Sequence, residues 1–160
     1  MDYAYPWAEL IGRFKFHAEP GWAAALAALI RSAPGAQELL APPSLVLPMP
    51  LAPSRLRERG YNQAFELARR LAPAQADARL LLRTRDTASQ LGLDRAARLR
   101  NVRGAFAVEP LRADAVAGQT VVLVDDVMTT GASLHAAAEA LLRAGAASVS
   151  ALVVARTPAA

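Results

Sequence analysis

Val121-Val-Leu-Val-Asp-Asp-Val-Met-Thr-Thr-Gly-Ala-Ser133 is the stretch that decides how this chain is read. Four apolar residues, three of them β-branched, predict a short buried strand that ends at two adjacent carboxylates, Asp125 and Asp126. A hydroxyl-rich loop with one glycine follows. The apolar spacing Leu134, Ala137, Ala138, Leu141 then predicts a helix.

Each part of that order has a chemical reason. Backbone N–H groups at a loop entering a helix lack intrahelical partners, and the helix dipole adds partial positive charge there, so a phosphate monoester fits. Thr129, Thr130 and Ser133 can donate hydroxyl hydrogen bonds to the same anion, and Gly131 allows close backbone approach or positive φ. Ionised carboxylates only accept, which makes Asp125 and Asp126 poor phosphate ligands but good partners for the two donors of a ribose cis-diol. Phosphate at one end and diol at the other describe a ribose 5-phosphate group.

Other readings of the stretch lack their companions. A strand ending in Asp-Asp also occurs in P-loop ATPases, but these need a GxxxxGK[ST] loop upstream, and this chain has neither that loop nor any lysine besides Lys15. A phosphate-receiver domain would normally place its acidic pair near the start of the chain and use a late lysine.

The stretch resembles the phosphoribosyl-pyrophosphate (PRPP) motif of type I phosphoribosyltransferases: hydrophobic strand, two acidic residues, two variable residues, Thr-Thr-Gly, a small residue, then Ser or Thr. Every position fits. Arg55-Leu-Arg-Glu-Arg-Gly-Tyr-Asn-Gln63 and Arg83-Thr-Arg-Asp-Thr-Ala-Ser-Gln90, continuing to Arg98-Leu-Arg-Asn-Val-Arg-Gly-Ala-Phe106, resemble the ComF/GntX-like subfamily, named for competence protein F. The similarity runs from about Tyr3 to Arg156. Members of that subfamily commonly begin with a cysteine-rich zinc module, whereas this chain has no cysteine. The module was lost or lies upstream, and no zinc is assigned, since His17 and His135 have no ligand spacing.

The resemblance implies an α/β type I phosphoribosyltransferase fold in one domain spanning residues 1–160, with a mainly parallel central sheet flanked by helices, a small N-terminal hood region and a long mobile loop. It implies transfer of phosphoribose from PRPP to a nitrogenous base or related nitrogen nucleophile, with release of pyrophosphate. Asp125 and Asp126 would be the catalytic pair, and Val127, Met128, Thr129, Thr130, Gly131, Ala132 and Ser133 the phosphate cup. Arg55, Arg57, Arg59 and Gly60, read as a loop ahead of a helix N-terminus, would meet pyrophosphate oxygens. Gln90, Arg98 and Asn101 match the subfamily pattern in the loop expected to close over PRPP. Magnesium would be held mainly through substrate oxygens, with no protein ligand assigned. No residue stands out as a general base. The acceptor is not readable, and a homodimer is compatible with the reading.

Two readings from other classes stay open. One is a non-catalytic regulator that binds a phosphoribosyl compound. The other, implied by the resemblance to competence proteins, is an accessory to DNA uptake that touches single-stranded DNA or competence proteins through its arginines. Stacking aromatics would favour DNA, and residues 83–103 contain none.

Composition sets outer bounds. A chain of 160 residues can bury a sizeable core as one domain. The net charge of +4 comes from an excess of arginine and favours anionic partners without choosing between pyrophosphate and nucleic acid. The apolar run 21–30 is shorter than the roughly 20 residues a membrane span needs, and Pro20 with the preceding Glu19 makes a poor signal-peptide core, so no membrane insertion and a cytoplasmic protein are expected.

Along the chain, Trp7, Leu10, Ile11 and Phe14 predict an opening amphipathic helix, and an alanine-rich helix follows Pro20-Gly21 to about Arg31. Leu45 to Pro50 reads as a buried strand. Asn62 is placed to cap a helix with the stripe Ala64, Leu67, Ala68, Leu71. Strands are expected at Ala78–Arg83 and Ser148–Ala155, with a candidate mobile loop over 84–104. Tyr61 and Phe106 are read as packing residues, and His135 as a helix-surface or satisfied core residue.

Overall fold

A computed structural model describes residues 1–16, 21–85 and 101–157. Helices α1 (Trp7–Phe16), α2 (Trp22–Arg31) and α3 (Ala36–Leu40) precede strand β1 (Leu45–Pro48), followed by α4 (Pro53–Arg59) and α5 (Gln63–Leu71). Then come β2 (Leu81–Arg83), β3 (Phe106–Val108), a 3-10 helix (Pro110–Ala115), β4 (Thr120–Met128), α6 (Ala132–Arg143) and β5 (Ser148–Arg156).

Strands β1, β4 and β5 form a parallel sheet with β4 in the centre. Isolated parallel bridges extend it at both edges, Ala76 beside Val46 and Asp2 beside Arg156. Buried on both faces, β4 reads as a continuous apolar run, yet from Val121 to Val124 its pleat still sorts side chains by parity. Val122 and Val124 join Val46, Leu152 and Val154 in a core completed by Ile11, Phe14, Leu26, Ile30, Leu67 and Leu71. Val121 and Leu123 join Leu47 on the other face, against Leu134, Ala137, Leu141, Leu80, Val102 and Phe106.

Several elements differ from expectation, and β4, β2 and α4 show the reasons most clearly. β4 does not stop at the carboxylates but runs through them to Met128, because β5 continues the ladder with Asp125 beside Val153, Val127 beside Ala155 and Met128 beside Arg156. The strand expected at Ala78–Arg83 shortens to Leu81–Arg83 and leaves the parallel sheet for an antiparallel ribbon with β3. The Asp77 carboxylate accepts from Arg79 N at 2.8 Å, a local turn that redirects the chain just after Ala76. Helix α4 was not expected at all; none of its residues is buried, so it has no apolar stripe to read. Pro53 in its first turn is compatible with helix initiation, and Gly60 at φ +78° ends it.

Candidate phosphoribosyl site

The acidic pair stands on paired backbone near the C-terminal end of the central strand, and the pleat therefore divides it. Asp125 shares parity with Val121 and Leu123 on the α6 face; Asp126 shares parity with Val122 and Val124 on the face of α1 and α5. Beyond them Met128 O accepts from Thr157 N at 2.9 Å, which ties down the strand end. Thr129 and Thr130 form a bend, Gly131 takes the left-handed conformation at φ +74°, and α6 begins at Ala132. Thr130 Oγ1 accepts from Ala132 N at 3.4 Å. A hollow of about 50 Å³ is lined by Asp125, Val127, Met128, Thr129, Gly131, Ala132 and Ser133, so most of the expected cup residues converge on one space.

An adjoining cleft of about 90 Å³ lies between this hollow and the segment after β1; its lining includes Met49, Pro50, Leu51, Arg59, Asn62, Gln63, Arg83 and both aspartates. Asp125 and Ser133 belong to both spaces. The packed protein around Asp125 disfavours its charge, and the Asp126 carboxylate adds repulsion; together they push its pKa up to about 7 against opposing help from Asp126 N–H, Lys15 and Arg59. Asp126 N donates to Asp125 Oδ1 at 2.9 Å, fixing that side chain.

Asp126 meets a partner that the sequence motif did not reveal. Lys15 Nζ, from the end of α1, lies 3.1 Å from Asp126 Oδ1, with the two side chains 17% and 9% exposed. That end of α1 is held by the start of α5. Tyr61 Oη donates to Phe14 O, its ring lies tilted against the Phe14 ring at 6.0 Å, and Gln63 Nε2 donates to Lys15 O at 3.5 Å. Burial raises the Tyr61 pKa, which keeps the phenol a donor. Gln63, 1% exposed, accepts from Arg59 at 3.1 Å, so a continuous polar chain joins α4, α5 and α1 above the acidic pair. The one signal for Lys15 in the sequence was that it is the only lysine.

The arginines separate. Arg59 and Arg83 line the cleft, and the Arg83 guanidinium lies 5.5 Å from the centre of the Phe106 ring. Arg55 and Arg57 sit instead on exposed positions of α4, where Arg55 pairs with Glu58 at 3.0 Å, and neither lines the cleft. These residues belong to a helix rather than to a loop preceding one, and Gly60 serves as its terminator: Gly60 N donates to Leu56 O at 2.9 Å. Asn62 caps α5 as expected, accepting from Ala64 N and Phe65 N, and its amide also donates to Met49 O at 3.0 Å. Arg85 donates to the carbonyls of Asn101 and Arg103 at 3.2 and 3.0 Å, closing the stem beyond the β2–β3 ribbon; Asn101 is placed in that stem and does not line the cleft. Gln90 and Arg98 lie outside the described residues, as does most of the loop expected to be mobile. His135 is on the α6 surface, 3.4 Å from Glu139.

No group of three metal-ligating side chains occurs among the described residues. Among them, no helix is long and apolar enough to cross a membrane.

Comparison with known proteins agrees with this architecture. Residues 59–160 match the family described as phosphoribosyl transferase domain. The DNA utilization protein YhgH of Escherichia coli K12 is 36% identical over 98% of this chain and 70% of its own length. Competence protein F of Haemophilus influenzae is 33% identical over 89% of this chain and 65% of its own. Among solved structures, the allosteric regulatory enzyme of purine biosynthesis superposes with a TM-score of 0.50 at 19% identity, covering 82% of this chain. The chain spans a quarter of that enzyme's length. A central parallel sheet with the acidic pair on its middle strand, together with these relatives, shows that the chain belongs to the phosphoribosyl transferase domain family, with the type I fold and a likeness to competence protein F.

Proposed function

We propose that the cleft binds PRPP and transfers its phosphoribosyl group to a nitrogen nucleophile, releasing pyrophosphate. The observation that carries this reading is the position of Asp125: it borders the hydroxyl-lined hollow and also the cleft that holds Arg59 and Arg83. A 5-phosphate in the hollow brings the ribose diol to the aspartates and leaves pyrophosphate to the guanidinium side. The protein's part is electrostatic. Carboxylates stabilise positive charge growing at the anomeric carbon, while the arginines stabilise charge on the leaving pyrophosphate. Thr129 and Ser133, which line the hollow, orient the phosphate by hydrogen bonding, while Thr130 Oγ1 accepts from Ala132 N within the turn.

Magnesium fits as a companion of the substrate. The described residues offer no carboxylate cluster, and Asp126 is already paired with Lys15, so the cation would be held chiefly by substrate oxygens. When bound it supplies charge neutralisation to the pyrophosphate.

Titration calorimetry with PRPP and magnesium tests binding. Replacing both Asp125 and Asp126 by Asn should cost on the order of 2 kcal/mol or more if both diol hydrogen bonds are made. Equal affinity of the double variant and the wild type would remove the diol assignment. Pyrophosphate release across a panel of purines, pyrimidines and other amines tests transfer and identifies the acceptor.

A second reading draws on the names of the relatives, a DNA utilization protein and a competence protein. In that case the exposed Arg57 on α4, and Arg55 once it exchanges Glu58 for a phosphate, would meet the nucleic acid.

A further inference from the structure

The two aspartates are chemically identical in the sequence motif, yet they have different surroundings. Asp126 is 7% exposed and has Lys15 Nζ at 3.1 Å; Asp125 borders both halves of the candidate site. We propose that Lys15 is a positioning residue of the phosphoribosyl site: by holding Asp126 Oδ1 toward α1, it makes the pair asymmetric and leaves Asp125 the more accessible of the two acceptors.

The support is geometric. The backbone at Lys15 is held by the start of α5, because its own carbonyl accepts from Gln63 and the preceding carbonyl from Tyr61. A lysine that merely reached over from solvent would not be anchored through its backbone to the helix that flanks the cleft. The ammonium also opposes repulsion within the pair, favouring the charged form of Asp125. Among the described residues, the other charged or titratable groups at the pair are Arg59 at the end of α4, Tyr61 before α5 and Arg83 at the end of β2. From β5 the ladder neighbours are Val153 and Ala155, and from α6 the lining residue is Ser133, none of which titrates there.

The inference rests on the proposed PRPP reading for its functional consequence, but its first test uses the free protein. Carboxyl carbon NMR of the wild type, Lys15→Gln, Lys15→Arg and Asp126→Asn follows the titration of Asp125. In Lys15→Gln the midpoint should move from about 7 upward by on the order of one pH unit, and Lys15→Arg should restore it. In an Asp126→Asn background the part of the Lys15→Gln shift that acts through Asp126 should vanish, leaving only the smaller direct attraction of the ammonium for Asp125. Calorimetry then reads PRPP affinity with magnesium against pH. At pH 7 Lys15→Gln should bind roughly fivefold more weakly, following the ionised fraction, and recover toward alkaline pH.

Should Lys15→Gln unfold, two measurements on folded protein remain. One is the Lys15→Arg titration. The other is the resonance of Lys15, the single lysine, after carbon-13 methylation, compared between the wild type and Asp126→Asn. An Asp125 midpoint unchanged in folded Lys15→Gln, or a methylated Lys15 signal indifferent to Asp126→Asn, overturns the proposal. Wild-type protein that fails to bind PRPP overturns the functional reading instead, and the free-protein titration still decides the role of Lys15.

Discussion

Asn62 joins two walls of the cleft, and its replacement has a cost that can be worked out bond by bond. Its side-chain oxygen accepts from Ala64 N at 2.9 Å and Phe65 N at 3.3 Å, the N-cap of α5. Its amide donates to Met49 O at 3.0 Å, just ahead of Pro50 and Leu51 in the cleft wall. Loss of an N-cap costs about 1 kcal/mol. Loss of the bond to the Met49 carbonyl adds about 1 kcal/mol. Asn62→Ala should therefore lower stability by about 2 kcal/mol, equivalent to about 4–8 °C in Tm for a chain of this size. Asn62→Asp keeps the capping acceptors but loses the donor toward Met49, so it should fall between, at about 1 kcal/mol. Urea unfolding of the three proteins at constant pH reads both differences, with the slope checked for constancy. A cost below about 0.5 kcal/mol for Asn62→Ala, or wild-type stability in Asn62→Asp, would refute the assignment of two separate jobs to this side chain.

Asp125 makes the protein less stable as pH rises: its folded-state pKa is about 7 against an ordinary value of 3.8, so the native state binds the proton more tightly between those limits. Its favourable contribution is complete below about pH 4, declines toward pH 7 and is flat above; Asp125→Asn should flatten this decline and be more stable than the wild type at pH 8 in urea unfolding, and a parallel loss in both proteins would contradict it. Gly131→Ala places a side chain at φ +74°, with its new methyl only in ordinary contact with Met128 at 3.6 Å, so the cost is conformational, about 1–2 kcal/mol; an unchanged Tm would show that the turn relaxes freely. If the arginines serve pyrophosphate, single-stranded DNA should bind weakly at physiological salt and with steep salt dependence, measured by fluorescence anisotropy, whereas tight binding at about 0.15 M salt would favour the DNA reading.

The sequence was readable wherever one short stretch carried the whole signal. The β4-loop-α6 order, the α5 cap at Asn62 and the helices around Ile11 and Leu26 follow from periodicity and capping chemistry within a few residues. What depended on partners distant in sequence was not readable. The length of β4 is set by β5, and the departure of β2 from the parallel sheet by its pairing with Phe106–Val108. Helix α4 buries nothing and so left no apolar pattern, which let Arg55 and Arg57 pass for loop residues. Lys15 is more than a hundred positions from Asp126, and no local rule links an ammonium to a carboxylate at that separation.

A site mounted on a hydrogen-bonded strand is addressed by odd and even count. If one residue were deleted between Val121 and Val124 while the preceding ladder kept its place, the side chains that follow, the two carboxylates included, would change sides. The aspartate now beside Lys15 would turn toward α6, and the one facing the hydroxyl loop would turn toward α1. Composition and motif would look almost unaltered, yet the two carboxylates would have traded neighbourhoods. Any transplant of this motif onto another sheet therefore has to preserve its phase against the flanking strands, a requirement that a consensus of residue types does not express.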